Sequence, residues 1–101
     1  KAINYISVHY MEQLSLNSTA EEVELSSSHF SRMFKKTTGR TFLEYLMDVR
    51  IKKACELLRD TDRSITNVAF DVGFNDSSYF GKVFRKHTRM SPSKYRAKHN
   101  A

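Results

Sequence analysis

One cysteine, one proline and three glycines are all that the 101 residues contain of the types that staple, break or loosen a chain. A lone Cys55 excludes an internal disulfide and fits a reducing compartment. So little Pro and Gly, with no stretch of low complexity, leaves no linker, and the chain reads as compact throughout. No apolar run approaches the roughly 20 residues of a membrane-spanning helix, and the charged, Tyr-bearing N-terminus is not a signal peptide. A soluble, cytoplasmic protein with no membrane partner is therefore expected. Lys1 in first place points to a fragment of something longer.

Acidic residues are missing from two whole stretches, 25–43 and 77–101. These hold eleven of the seventeen basic residues: Arg32, Lys35, Lys36, Arg40, Lys82, Arg85, Lys86, Arg89, Lys94, Arg96 and Lys98. The remainder carries six basic against eleven acidic side chains, so the net charge of +6 comes from these two places alone. A solvated face would explain one basic patch. Segregation into two stretches favours a polyanion partner. Nothing points to catalysis: there is no nucleophile elbow, phosphate loop, carboxylate pair or metal-ligand cluster, so neither an enzyme nor a cofactor is expected. His9, His29, His87 and His99 show no metal-ligand spacing, and Cys55 beside Ala54 reads as a small core residue.

The two acid-free stretches are also copies of each other. Aligned without gaps, SSHFSRMFKKTTG at 27–39 and SSYFGKVFRKHTR at 77–89 share Ser27 with Ser77, Ser28 with Ser78, Phe30 with Phe80, Phe34 with Phe84, Lys36 with Lys86 and Thr38 with Thr88. The likeness extends upstream from Ala20, Val23 and Leu25 to Ala69, Val72 and Phe74, with one extra residue in the later turn, and downstream to Tyr45 and Tyr95. A repeat of about 26 residues has the size of a supersecondary unit too small to bury a core alone.

Helical periodicity puts Phe30, Met33, Phe34 and Thr37 on one face and Ser28, Ser31, Arg32 and Lys35 on another; the second copy opposes Phe80, Val83, Phe84 and His87 to Ser78, Gly81, Lys82 and Arg85. Each amphipathic helix opens on cap-capable residues, Ser26 or Ser27 in one and Asn75 or Asp76 in the other. A shorter apolar pattern precedes each, so both read as helix, tight turn, basic helix, with Gly73 supplying the permissive turn of the second. Between them Phe42, Leu46, Val49, Ala54, Leu57 and Leu58 mark one helix over 41–59, roughly 28 Å long at about 1.5 Å per residue. Ile3, Ile6, Tyr10 and Leu14 mark an opening helix, and a last one begins at Pro92, a favourable first-turn residue. The expected fold class is all-α: seven helices and no strand, with two helix-turn-helix units (about 18–39 and 65–89) joined by a long central helix.

The sequence resembles the DNA-binding domain of the AraC/XylS family of bacterial transcription regulators. The likeness covers about residues 5–97 as a single domain and is densest at ITNVAFDVGFNDSSYFGKVFRKHTRMSPSKYR, with Ala69, Gly73, Phe74, Ser78, Phe80, Phe84, Lys86, Pro92, Tyr95 and Arg96 on the family pattern. It implies two recognition helices in successive major-groove segments of double-stranded DNA. Ser28, Ser31 and Arg32 of the first helix and Ser78 and Lys82 of the second would read bases, with Lys35, Lys36, Arg40, Arg85 and Lys86 on phosphates. The resemblance also implies RNA polymerase and a separate regulatory domain as partners.

Three positions depart from the pattern. Glu24 stands where the second unit has Gly73, so a differently built first turn is expected. Arg89 stands where the first unit has Gly39; if that residue is left-handed, Arg costs about 1 kcal/mol or more. Gly81 leaves an outward position without a side chain, so the second unit is expected to read less sequence and to anchor more. The rival readings are a helical module that binds nucleic acid without sequence preference, and a basic surface that engages acidic proteins or lipids.

Overall fold

The computed structural model describes residues 1–99 and builds them into seven helices, with no strand among the described residues: α1 Ala2–His9, α2 Leu16–Glu22, α3 Ser27–Thr38, α4 Phe42–Asp60, α5 Ile65–Asp71, α6 Ser77–Thr88 and α7 Pro92–His99. They form two compact units, Lys1–Val49 and the chain from Arg50 onward, and the division falls inside α4. Each unit contains one copy of the repeat.

In the first unit, α2 is opened by a reciprocal cap: Ser15 Oγ accepts from the Ser18 amide, and the Ser18 hydroxyl accepts from the Ser15 amide, both at 3.0 Å. A tight turn then feeds α3, whose N-cap Ser26 accepts from the His29 amide at 3.2 Å. Ser27 donates to Asn17 at 2.6 Å and ties α3 to α2. Phe30 and Phe34 lie buried against Phe42, with centroids 6.0 and 6.1 Å away, and Tyr45 meets the Phe34 ring edge-on at 5.4 Å. Ile6, Ala20 and Leu46 complete this core.

The second unit repeats the plan. Ser64 caps α5 through the Asn67 amide, and Asp76 caps α6 by accepting from the amides of Ser78 and Tyr79. Phe80 packs on Phe74 and Phe84 at 5.2 and 5.6 Å, and Tyr95 meets Phe84 at 5.5 Å as Tyr45 meets Phe34. Val68, Ala69, Val72, Ala54 and Leu58 are wholly buried around them. The repeated threonine does the same work twice: Thr38 Oγ1 lies 2.8 Å from the Phe34 carbonyl oxygen and Thr88 Oγ1 2.9 Å from that of Phe84, closing the last turn of each basic helix. The extra residue of the later copy lies between Phe74 and the cap Asp76.

Several expectations are corrected. The turn of the first unit is built like that of the second despite Glu24. Glu24 has φ 60 and Gly73 φ 108, and the closing hydrogen bonds match, Leu25 N to Ala20 O at 2.9 Å and Phe74 N to Ala69 O at 3.0 Å. The hydrogen-bonding geometry of the turn imposes the left-handed residue, and Glu bears the strain. The opening helix stops at His9, because the Glu12 amide turns back to the His9 carbonyl at 2.9 Å; Tyr10 and Leu14 lie beyond it. Met33, Thr37 and His87 face solvent, whereas Val83 is buried. On α4, Val49 and Leu57 are only half-buried. The buried face runs through Phe42, Leu46, Met47, Arg50, Ile51, Ala54 and Leu58. Arg50 is the unexpected member, 7% exposed, with its guanidinium 5.7 Å from the centre of the Phe74 ring.

Both basic helices end on a left-handed residue. Gly39 has φ 77 and its amide donates to Lys35 O at 2.8 Å; Arg89 has φ 67 and its amide donates to Arg85 O at 2.7 Å. Arg89 is therefore a left-handed non-glycine residue, as its place opposite Gly39 predicts.

Candidate nucleic-acid interface

Each basic helix turns its phenylalanines inward, which fixes what points out. On α3, Ser28, Ser31, Arg32, Lys35 and Lys36 are all exposed; on α6, so are Ser78, Lys82, Arg85 and Lys86, while Gly81 is half-exposed. The positions assigned by periodicity to the outward faces are thus brought together within each unit. In the first unit Ser31, Arg32, Lys35, Lys36 and Thr41 line an open recess of about 470 Å³. In the second an open recess of about 620 Å³ is lined by Arg85, Arg89, Met90, Ser91, Ser93 and Lys94.

The basic residues of these faces make no close ion pair. Among the described residues, none of Arg32, Lys35, Lys36, Lys82, Arg85 and Lys86 pairs with a carboxylate. Cations elsewhere do: Arg63 is held by Asp71, with Nη2 3.0 Å from Oδ1, and Lys53 lies 3.8 Å from Glu56. Arg40 stands apart from the other phosphate candidates, because its Nη1 is 3.1 Å from Asp48 and a phosphate would have to share it. Lys35 and Lys36, like Arg85 and Lys86, sit in the last turn of their helices, where a cation also complements the helix dipole. Cationic side chains in solvent, with hydroxyls beside them and no carboxylate paired with them among the described residues, suit a polyanion that also offers hydrogen-bonding edges.

The frame beneath the first face is set by a second reciprocal cap at the start of α4. The Thr41 amide donates to Glu44 at 2.9 Å and the Glu44 amide to the Thr41 hydroxyl at 3.1 Å. Hydrogen bonds to the Glu44 carboxyl from the Thr41 amide first and then the Thr41 hydroxyl, with Lys35 and Arg40 nearby, hold it below the usual carboxylate range. Cys55 is half-buried rather than a core residue, and burial pushes its thiol up. No group of three His, Cys, Asp or Glu side chains among the described residues could hold a metal ion, and no described helix is long and apolar enough to cross a membrane.

Exposed residues that sequence reasoning left out also lie here. Tyr79 is 49% exposed, one helical step from Lys82, and His29 has the same relation to Arg32. Their i, i+3 spacing from the basic residue was the available signal. Arg89, Ser93 and Lys94 belong to the recess of the second unit.

Known proteins repeat this arrangement. The sequence model of the helix-turn-helix domain family matches residues 19–98. The regulatory protein PocR of Salmonella typhimurium is 40% identical over 100 residues, covering 99% of this chain and 33% of PocR. The chain spans about a third of the length of PocR and of most curated relatives it matches. Among solved structures, a transcriptional regulator from Chromobacterium violaceum described as containing an AraC-type DNA-binding domain superposes with a TM-score of 0.89 at 28% identity, over 97% of this chain and 88% of that one. The DNA-binding domain of the global transcriptional factor AdpA, solved in complex with a target DNA, gives a TM-score of 0.94 at 30% identity, over 97% of this chain and 88% of that one. With two helix-turn-helix units, their basic second helices and a family match over most of its length, the chain belongs to the AraC-type helix-turn-helix family.

Proposed function

We propose that this chain is the sequence-specific, double-stranded-DNA-binding domain of a bacterial transcription regulator, a single domain over 1–101 that places α3 and α6 in two adjacent major-groove segments. The observation that carries the reading is the pair of acid-free faces, each on the second helix of a helix-turn-helix and each with cations unpaired among the described residues. A single such face fits many basic surfaces. Two copies in one chain fit a duplex, which presents a groove and a phosphate track again at every turn. AdpA, bound to its target DNA in a structure of the same fold, supports it.

Ser28, Ser31 and Arg32 in the first unit and Ser78 and Lys82 in the second are the proposed base readers, with Arg32 and Lys82 suited to guanine edges and the serines tolerant of several bases. His29 and Tyr79 extend those faces. Lys35, Lys36, Arg85 and Lys86 are proposed on phosphates, and Arg40 is shared between a phosphate and Asp48. The heads differ in sequence, Ser31 and Arg32 against Gly81 and Lys82, so the site is two unlike half-sites. The full-length protein joins this domain to a regulatory domain and acts, as an activator, on RNA polymerase in the cytoplasm.

Gel-shift competition between a site selected from random DNA and unselected DNA tests the reading. A specific binder prefers its site by roughly a thousandfold or more. Equal competition would leave a nucleic-acid-binding module without sequence preference, and no shift at all would leave a basic surface for other partners.

A further inference from the structure

Arg89 occupies a backbone conformation that glycine fills in the other copy. The amides of Gly39 and Arg89 close the same helix end, yet Arg89 carries a Cβ into the left-handed region at φ 67. No side-chain contact among the described residues offsets that strain, since the Arg89 side chain is exposed and has no hydrogen-bond or ion-pair partner there. In the first unit the cation at this corner is Arg40, one residue after the glycine, and it is engaged by Asp48. In the second, the residue after Arg89 is Met90, and Arg89 itself, Arg85 and Lys94 line the recess of about 620 Å³. Three cations around one recess, in a segment with no acid from 77 to 101, repel one another unless an anion enters.

We infer that Arg89, with Arg85 and Lys94, holds one backbone phosphate of the duplex in the second unit. The inference rests on the proposed DNA-binding function and adds to it a corner cation free of any acid, where that of the first unit, Arg40, is engaged by Asp48. A phosphate fits the lining: Arg89 offers a planar fork that bonds two oxygens, Lys94 a point charge and Ser93 a hydroxyl donor. Arg85 belongs both to this recess and to the outward face of α6, so a strand lying along α6 passes the recess. With Gly81 leaving the reading face bare, the second head gains here in phosphate contact what it lacks in base contact.

The test compares Arg89→Gly and Arg89→Lys with the parent chain by thermal melting and by binding to selected and random duplexes across a salt series. Arg89→Gly is expected to raise the melting temperature by on the order of 5 °C, because glycine relieves the left-handed strain. It is expected to weaken both duplexes alike, by roughly tenfold near 0.1 M salt, and to make the salt slope shallower by about one unit. Arg89→Lys keeps the strain and the charge but loses the two-oxygen fork, so its melting temperature and salt slope stay close to the parent while its affinity falls by less than that of Arg89→Gly. Unchanged affinity and slope for Arg89→Gly would overturn the inference while leaving DNA binding intact. So would a loss confined to the selected site, which would make Arg89 a base reader. If inorganic phosphate raises the melting temperature of the parent and not of Arg89→Gly, while duplex binding is equal in both, the recess is a small-anion site and the assignment to DNA falls. A parent chain that shifts no duplex removes the proposed function and this inference together.

Discussion

Arg32 and Lys36 lie four residues apart on α3, both exposed and both without a carboxylate partner, yet different effects are expected of their removal. Arg32 stands beside Ser28 and Ser31 on the outward face proposed to read bases. Arg32→Ala is expected to cost about 1 to 3 kcal/mol on the selected site and to relax preference at one or two base pairs. Lys36 sits in the last turn, where a phosphate contact carries no sequence information; Lys36→Ala weakens all duplexes alike and makes the salt slope shallower by about one unit. Binding isotherms on the selected site and on single-base variants separate the two, and a changed base preference for Lys36→Ala would reverse its assignment. At this scale the sequence was partly legible. Serine and basic residues at helical spacing opposite two phenylalanines could face only outward, and they do. Glu24 was not legible, because its left-handed φ is dictated by the Ala20 carbonyl closing the turn, a backbone demand that a glutamate side chain conceals.

Among the elements, α4 carries a pH-dependent cap. Two hydrogen bonds from Thr41 depress the Glu44 carboxyl in the folded chain, so the stability it contributes is fully present above the ordinary carboxylate range. That contribution is lost as pH falls through that range toward Glu44's lowered value. Glu44→Gln keeps an acceptor for the Thr41 amide and cannot titrate. In urea melts the advantage of the parent over Glu44→Gln is expected at neutral pH and vanishes in acid; a difference independent of pH would show that the charge at the cap contributes nothing. The sequence announced the ends of these helices well, since Asp76 and Pro92 stand where a cap and a first turn require them. It announced depth poorly. Met33 and Val83 hold the same place in two copies of one helix, yet Met33 is 46% exposed and Val83 only 9%. The helical period says which way a side chain points, whereas burial depends on what packs over it. Arg50 shows the same limit from the other side: a charged residue lies in the buried face of α4, with its guanidinium over the Phe74 ring.

For the whole molecule, the repeat was the most legible feature, since two copies with matched phenylalanines, threonines and tyrosines foretold two units with matched packing. How a chain uses two such units is a question for DNA. The proposed function makes them two reading heads tied by one 19-residue helix, α4, and gives each its own half-site. The measurement that tests this most directly is a gel shift on the selected site and on the same DNA with about 5 bp inserted between the half-sites. Half a turn carries the second groove segment to the opposite side of the duplex. If both heads engage at once, affinity falls to that of one head alone, measured on DNA that keeps a single half-site. Full affinity after the half-turn insertion would contradict the two-headed reading.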